Sequence, residues 1–332
     1  MYLGLVVVLI AIALSFDYTN GFHDAANAIA TSVSTRALTP RIALLMAAFF
    51  NFVGAFLGQG VANTIASITS PQAGNVGLVM IIAALLGAIA WNLITWWLGL
   101  PSSSSQALIG GIVGASLAAA TTVKWNVVVE KVIIPMVLSP IVGFLLAYAL
   151  MLGILWGFRN RNPNRTQRGF RIAQVGSAAA MSLGHGLQDA QKTMGIITLA
   201  LITGGYLPAN TTTIPVWVVA SSAAAISLGT YAGGWRIMRT LGRRIIHLDP
   251  ARGFAAESVA ASLLFITAFV FKAPISTTQT ITGSIMGVGA TKRLSAVRWG
   301  VGVNIAWAWV LTLPMSALIA AASFYILRPI LT

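Results

Sequence analysis

Residues 101–111 read PSSSSQALIGG, and residues 274–284 read PISTTQTITGS. In each run a proline precedes hydroxyl residues, which are strong helix N-cap types, and a glycine-rich apolar stretch follows. The two runs lie about half the chain length apart. We therefore predict two matched helix N-termini, one in each half of the chain.

The composition is that of a membrane protein. Apolar residues make up 57% of the chain and charged residues 8%, with a mean hydropathy of +0.86. Soluble domains carry about 25% charged residues. Apolar stretches recur to the end of the chain, so the first one is expected to be a membrane span rather than a cleaved leader. The absence of cysteine excludes disulfides and thiolate metal sites.

Ten apolar segments are candidates for membrane-crossing helices, each of which needs about 20 residues. They cover approximately residues 1–35, 42–62, 77–97, 101–122, 132–158, 172–202, 214–234, 257–271, 274–290 and 299–327. The segment 257–271 is short for a full crossing, and a half-helix paired with the next segment is the alternative. The sequence thus predicts an all-α polytopic protein of the plasma membrane, the inner membrane in a bacterium.

The charge pattern orients these segments. The formal charge of +14 raises the possibility of nucleic-acid binding, but the basic residues lie mostly in short loops between apolar stretches. Loops 159–171 and 235–252 carry five arginines each, which predicts a cytoplasmic location for both. Because successive loops alternate between the two sides of the membrane, segments 63–76 and 203–213 and both termini are then expected on the external side. Nucleic acid is not an expected partner.

The two halves of the chain resemble each other. GFHDAAN at 21–27 is similar to GLQDAQK at 186–192, and the two proline-led runs are similar to each other. Five predicted crossings precede loop 159–171 and five follow it. Because five is odd, the second copy enters the membrane from the opposite side. We predict inverted repeats over 1–158 and 172–332, joined by the basic loop, as in many transporters.

Two acidic residues lie inside apolar segments at matching places in the repeats, Asp24 and Asp189. A lone carboxylate at membrane depth costs about 2.5 to 3.5 kcal/mol, so each is expected to have a polar or cationic partner. Asn27 lies on about the same helical face as Asp24. Oxygen ligands on one face suit a hard cation such as sodium. Polar contact between helices is the alternative.

Lys192 stands where the first repeat has Asn27. It is expected to neutralise Asp189, to pair with Asp24, or to hold an anion. His23 precedes Asp24 and could carry a proton near neutral pH; a hydrogen-bonded structural role is the alternative.

The remaining acidic residues are assigned to helix ends and loops. Asp17 is a candidate cap for a helix that follows the first span. Asp249 and Glu257 are expected at a loop and at a helix start, without a transport role.

The two proline-led runs form a candidate anion site. Free N–H groups at a helix N-terminus, the helix dipole and several hydroxyl donors bind an anion without a full positive charge. Because the repeats enter from opposite sides, the two ends are expected to meet near the midplane on one small oxyanion. Glycines in both helices would allow backbones to approach closely; they are Gly110, Gly111, Gly114, Gly283 and Gly287. The alternative role for these hydroxyls is to hydrogen-bond the unpaired backbone groups of a broken helix.

These motifs together resemble the inorganic phosphate transporter (PiT) family of cation-coupled phosphate symporters. NGFHDAANAIATSV at 20–33 resembles its first signature, SLGHGLQDAQKTMGII at 182–197 resembles the second, and the two runs resemble its paired hairpin motifs. The resemblance covers essentially the whole chain. It implies a phosphate site between inverted repeats, coupling cations near the signature aspartates, transport by alternating access, and a homodimer. It implies no enzymatic activity.

The motifs and the resemblance together assign roles to individual residues. The residues assigned to phosphate are Ser103, Ser104, Ser105, Gln106, Ser276, Thr277, Thr278, Gln279 and Lys192. The residues assigned to the coupling cation, sodium or a proton, are Asp24, Asn27, Gln188 and Asp189. If the cation is sodium, the metal ligands are Asp24, Asn27 and Asp189. His23 is the candidate proton carrier, and no other cofactor is expected.

Three glutamines depart from the family pattern. Gln188 replaces a common Asn, and Gln106 and Gln279 replace a common His. Glutamine cannot change its protonation near neutral pH, so proton exchange at the two hairpin positions is excluded. The choice between sodium and proton, and between phosphate and sulfate, stays open.

Three other activities compete with phosphate symport. A sulfate or other oxyanion symporter of the same family is the first. An intramembrane lipid-phosphate phosphatase needs a nucleophile with an acid–base partner and usually Arg, and neither run contains Arg, Glu or His. A passive anion channel is the third.

Overall fold

A computed structural model describes residues 3–332, which form α-helices joined by short turns. The helices are α1 (Leu3–Ser34), α2 (Pro40–Gly54), α3 (Gly60–Ala66), α4 (Asn75–Leu98), α5 (Ser104–Ala118), α6 (Ile134–Gly157), α7 (Pro163–Thr203), α8 (Val216–Ala232), α9 (Trp235–Arg239), α10 (Pro250–Ile266), α11 (Thr277–Ala290) and α12 (Trp299–Leu331). Wider π-helical turns precede α6 at Val127–Ile133, follow α9 at Thr240–Arg244 and continue α10 at Thr267–Phe271. Within residues 3–332 the one extended pairing is an isolated bridge between Thr69 and Val123.

Five helical stretches are long and apolar enough to cross a membrane. They are Leu3–Ser34, Asn75–Leu98, Val127–Gly157, Pro250–Phe271 and Trp299–Leu331. A sixth crossing results if Val216–Ala232 and Arg236–Gly242, which meet at an angle of 61°, form one bent span. The all-α membrane architecture is thus confirmed.

The ten segments expected from the sequence all fall on helices, and two of their details are wrong. The segment expected at 257–271 is a 22-residue helical stretch that begins at Pro250, so it is not a half-helix and Glu257 is not at its start. Helix α1 runs unbroken, so Asp17 lies in the middle of a helix and caps nothing. The helices at the two proline-led runs are short instead, with 15 residues in α5 and 14 in α11. The count of ten crossings stays a prediction.

Helix packing repeats between the first six helices and the last six. In the first half α1 packs against α8, and in the second half the matching helix α7 packs against α2. Likewise, α4 and α5 form a hairpin in the first half, and α10 and α11 form one in the second. The last helix of each half packs on the hairpin of the other half, α6 on α11 and α12 on α5. The two halves therefore interlock around a shared centre. Their inverted orientation in a bilayer stays a prediction.

Glycines allow this interlocking, as expected from the sequence. A Cβ atom on Gly114 of α5 would lie 2.2 Å from the carbonyl oxygen of Ala317 in α12. A Cβ atom on Gly287 of α11 would likewise lie 2.2 Å from the carbonyl oxygen of Phe144 in α6. Such a separation is far below van der Waals contact. Both hairpin helices thus touch the backbone of their partner.

Segments assigned to the same side of the membrane lie together. Residues of 63–76 and 203–213 line one surface cavity with Lys124. Residues 158–170 line another cavity with Asp249 and Arg252. These contacts join only segments that the charge pattern places on one side.

We expect Gly287→Ala to destabilise the fold by about 1–3 kcal/mol, because the added methyl group has no space against α6. The matched control is Gly153→Ala in α6, where nothing lies within 4 Å of the added carbon. Thermal unfolding of the detergent-solubilised protein, followed by far-ultraviolet circular dichroism, measures the difference. Equal melting temperatures for the two variants would contradict the close packing.

Because the natural chain lacks cysteine, a single introduced thiol reports its own side of the membrane. We expect a membrane-impermeant maleimide to label Thr213→Cys in intact cells. Asn160→Cys should react only after permeabilisation, because Arg159 and Arg161 flank it in the loop assigned to the cytoplasm. Labelling of both positions from the same side would show that the assigned topology is wrong.

Candidate ion-binding site

The N-termini of α5 and α11 are built in the same way. Ser103 and Ser276 are the N-caps, and each hydroxyl oxygen accepts a hydrogen bond from the backbone N–H of the glutamine three residues later, at 3.2 Å. The expected helix starts are therefore confirmed. Pro101 and Pro274 lie in the turns, ahead of the caps, rather than in the first helical turn.

The two helix N-termini, called here the hairpin tips (residues 103–106 and 276–279), meet at Asp24. Ser104 donates to Asp24 Oδ2 at 2.8 Å, and Thr278 donates to Oδ1 of the same carboxylate at 3.3 Å. Ser105 donates to the carbonyl oxygen of Ile275 at 3.0 Å, which joins the tips directly. One carboxylate on α1 thus accepts hydrogen bonds from both hairpins.

Asn27 extends this contact along α1. Its amide nitrogen donates to Thr278 Oγ1 at 2.8 Å and to Thr277 Oγ1 at 3.3 Å. Its carbonyl oxygen is buried and has no hydrogen-bond partner. Asn27 therefore presents one free acceptor next to the α11 tip.

On α7, Asp189 is the centre of a second polar group. Lys192 Nζ lies 2.8 Å from Asp189 Oδ1, and His185 Nε2 lies 3.3 Å from Oδ2. The amide of Asn20 donates to Oδ2 at 3.4 Å. All four side chains are fully buried. Of the roles considered for Lys192, the structure thus gives pairing with Asp189.

The two aspartates at matching positions approach each other across α1 and α7. One ligand atom from each of Asp24, His185 and Asp189 lies within 4.8 Å of the others. Two carboxylates at this separation repel each other unless a cation or a proton lies between them. The crossing of α1 and α7 is thus the candidate cation site.

His23 is held on both sides of its ring. Nδ1 lies 2.6 Å from Asp24 Oδ1, and Nε2 lies 3.2 Å from the hydroxyl oxygens of Thr95 and Ser102. The ring connects the carboxylate to the turn between α4 and α5.

The sequence pattern of the phosphate transporter family matches residues 20–320. The chain belongs to this family. It is 50% identical over 330 residues to a probable low-affinity inorganic phosphate transporter of Rhizobium meliloti (strain 1021), covering 97% of this chain and 96% of that protein. It is 47% identical over 328 residues to one from Bacillus subtilis (strain 168), covering 98% of each. These relatives are named as transporters, and the protein is not an enzyme.

A solved structure described as a sodium-dependent phosphate transporter has the same fold. It superposes with a TM-score of 0.91 at 24% sequence identity, covering 99% of this chain and all of that one. This likeness confirms the fold of the transporter.

The glutamines that depart from the family pattern have different surroundings in this transporter. Gln188 Nε2 donates to Thr267 Oγ1 at 2.8 Å and to the carbonyl oxygen of Leu264 at 3.2 Å, so it holds the end of α10. Gln106 lies at the α5 tip with a buried Oε1 that has no partner. Gln279 is buried at the α11 tip.

A fully buried glutamate of the transporter was assigned from the sequence to a helix start. Glu257 lies inside α10, where Ser177 donates to Oε2 at 2.5 Å and Gln174 to Oε1 at 3.4 Å. Thr31 on α1 also donates to this carboxylate. These donors are uncharged, and together with the carboxyl group of Glu257 they form an oxygen-rich cluster. Its chemistry suits a hard cation.

The sequence contains a signal that places Glu257 inside a helix, although it does not identify its hydrogen-bond donors. Asp249, which was expected in a loop, is the N-cap of α10 and accepts a hydrogen bond from the backbone N–H of Arg252 at 2.9 Å. Pro250 occupies the first turn. An Asp–Pro pair is a helix-start signal, and it places Glu257 two turns inside the helix.

We expect Lys192→Met to lower the free energy of unfolding by about 3–5 kcal/mol, because it leaves the Asp189 carboxylate buried without its partner. The double variant Lys192→Met/Asp189→Asn should recover most of this loss, since no unpaired charge is left. Unfolding by SDS in mixed micelles provides the measurement. A double variant as unstable as the sum of the two single variants would show that the pair is not coupled.

Proposed function

We propose that the protein imports inorganic phosphate by symport with a cation, through alternating access. The observation that carries the proposal is the meeting of two helix N-termini at the carboxylate of Asp24. N-terminal N–H groups and hydroxyls bind oxyanions, and buried carboxylates bind cations. Asp24 would therefore belong both to the oxyanion site at the helix N-termini and to the cation site.

Phosphate would lie at the hairpin tips. The residues assigned to it from the sequence are all buried in this region or on α7 next to it. Monohydrogen phosphate carries a proton that can be donated, whereas sulfate does not. The free carbonyl oxygens of Asn27 and Gln106 are acceptors for such a proton, which favours phosphate.

Charge balance supports coupling to a cation. Among the described residues, four carboxyl groups are buried, those of Asp17, Asp24, Asp189 and Glu257, whereas one ammonium is, that of Lys192. With neutral histidines this centre is negative and repels an anion. A bound cation or proton reduces the repulsion, and phosphate then raises the affinity for the cation by the same factor.

The coupling ion would bind between Asp24 and Asp189. The name of the structural relative, a sodium-dependent transporter, supports sodium. His23 and His185 beside the carboxylates are suited to a proton instead. Gln188 would support the site indirectly, because its amide holds the hairpin.

Inverted repeats and a rocking motion complete the proposal. The repeated contacts of the two halves support two related units around one site. The basic loops support a plasma-membrane protein with both termini external. The homodimer is inferred from the family resemblance.

Uptake of radiolabelled phosphate into proteoliposomes tests the proposal. One set receives a sodium gradient at equal pH, a second a proton gradient without sodium, and a third neither. We expect accumulation above electrochemical equilibrium with one of the two gradients. Uptake that responds to neither gradient would overturn symport, and uptake that stops at equilibrium would indicate a channel. Unlabelled arsenate should compete and sulfate should not.

Ser104→Ala, which removes a hydrogen bond to Asp24, should reduce this uptake about tenfold or more, because a hydrogen bond to a charged group contributes about 1.5–3 kcal/mol. The matched control is Ser323→Ala in α12, whose hydroxyl bonds only to its own helix. Equal phosphate uptake by the two variants would show that transport does not depend on this hydrogen bond at the hairpin tips.

A further inference from the structure

Asp17 is a buried carboxylate without a partner. It lies in the middle of α1, two turns before Asp24, and is fully buried. Neither of its oxygens has a hydrogen-bond partner. A buried carboxylate in this condition is costly at membrane depth, so a positive charge is expected beside it.

The polar side chains next to Asp17 are unsatisfied as well. Thr193 on α7 and Asn20 on α1 lie beside it. The hydroxyl oxygen of Thr193 and the carbonyl oxygen of Asn20 are buried without partners. Together with the Asp17 carboxylate, they leave four oxygen atoms of one small region unpaired. A cation bound among these side chains would supply the partner that the Asp17 carboxylate lacks.

The local charge indicates which kind of cation fits. The charged groups that act on Asp17 are Asp189 and Lys192, both on α7. Lys192 already pairs with Asp189 at 2.8 Å, so the three groups sum to one negative charge when the Asp17 carboxyl is ionised. A single monovalent cation makes this group neutral. Oxygen ligands select a hard cation, as sodium is.

We propose that Asp17, Asn20 and Thr193 form a sodium site separate from the one between Asp24 and Asp189. Asn20 connects the two sites, because it lies beside Asp17 and its amide nitrogen donates to Asp189. Sodium at this site therefore fixes the amide that orients Asp189.

The residues at the matching positions of the two repeats do not form a second site of this kind. When Asp24 is aligned with Asp189, the residues that match Asp17, Asn20 and Thr193 are Ser182, His185 and Ala28. Ser182 donates to a carbonyl oxygen of its own helix at 2.8 Å and needs no further partner. Within the described parts of α1 and α7, the matched positions thus do not provide a second copy of this group.

Binding of radioactive sodium tests the proposal. Purified full-length protein in lipid nanodiscs is titrated with ²²Na⁺ at constant pH in a potassium background, without phosphate. We expect Asp17→Asn to bind about one sodium ion fewer than the natural protein. Thr193→Val keeps the carboxylate and the side-chain shape, and it should raise the half-saturating sodium concentration about tenfold or more. Ser182→Ala is the control, expected to match the natural protein.

The outcomes separate this site from the symport mechanism. Sodium binding that is unchanged in Asp17→Asn and Thr193→Val would overturn the site. If the natural protein binds no sodium but accumulates phosphate in a proton gradient, the sodium site is wrong and symport stands. Thr193→Val, which keeps all charges, provides the answer even if Asp17→Asn does not fold.

Discussion

Asp24 and the two hairpin tips depend on each other. A carboxylate away from water needs hydrogen-bond donors, and Asp24 takes them from Ser104 on α5 and from Thr278 on α11. These helices belong to different halves of the chain, so one side chain on α1 connects both halves. Movement of either half changes the surroundings of this carboxylate. Any change in the charge of Asp24 therefore acts on both hairpins.

Apolar packing makes this polar contact possible. Each hairpin helix is held by the last helix of the opposite half, at glycines that leave no space for a side chain. The tips thus meet because α12 packs against α5 and α6 packs against α11, which holds both hairpin helices in place. Interior packing is rigid enough that such helices shift as units rather than deform gradually. The same packing that brings the tips together also limits how they can separate.

Local chemistry was predictable from the sequence, and long-range partners were not. The caps at Ser103 and Ser276 depend on residues within one turn, so their helix starts followed from the sequence. The pairing of Asp189 with Lys192 was also local, at a spacing of one helical turn. Glu257 differs, because its donors come from two other helices. Its role depends on a three-dimensional arrangement that a single chain pattern does not contain.

The two halves match in packing but not in charge. Asn27 reaches the α11 tip through its amide, whereas Lys192 at the matching position is held by Asp189. Asp17, in turn, stands where the second half has Ser182. These two departures add opposite charges near the same crossing of α1 and α7. Identical halves would hold the two tips equally. Here the halves differ in buried charged groups, so the surroundings of the two tips differ in electrostatics although the helices around them pack alike.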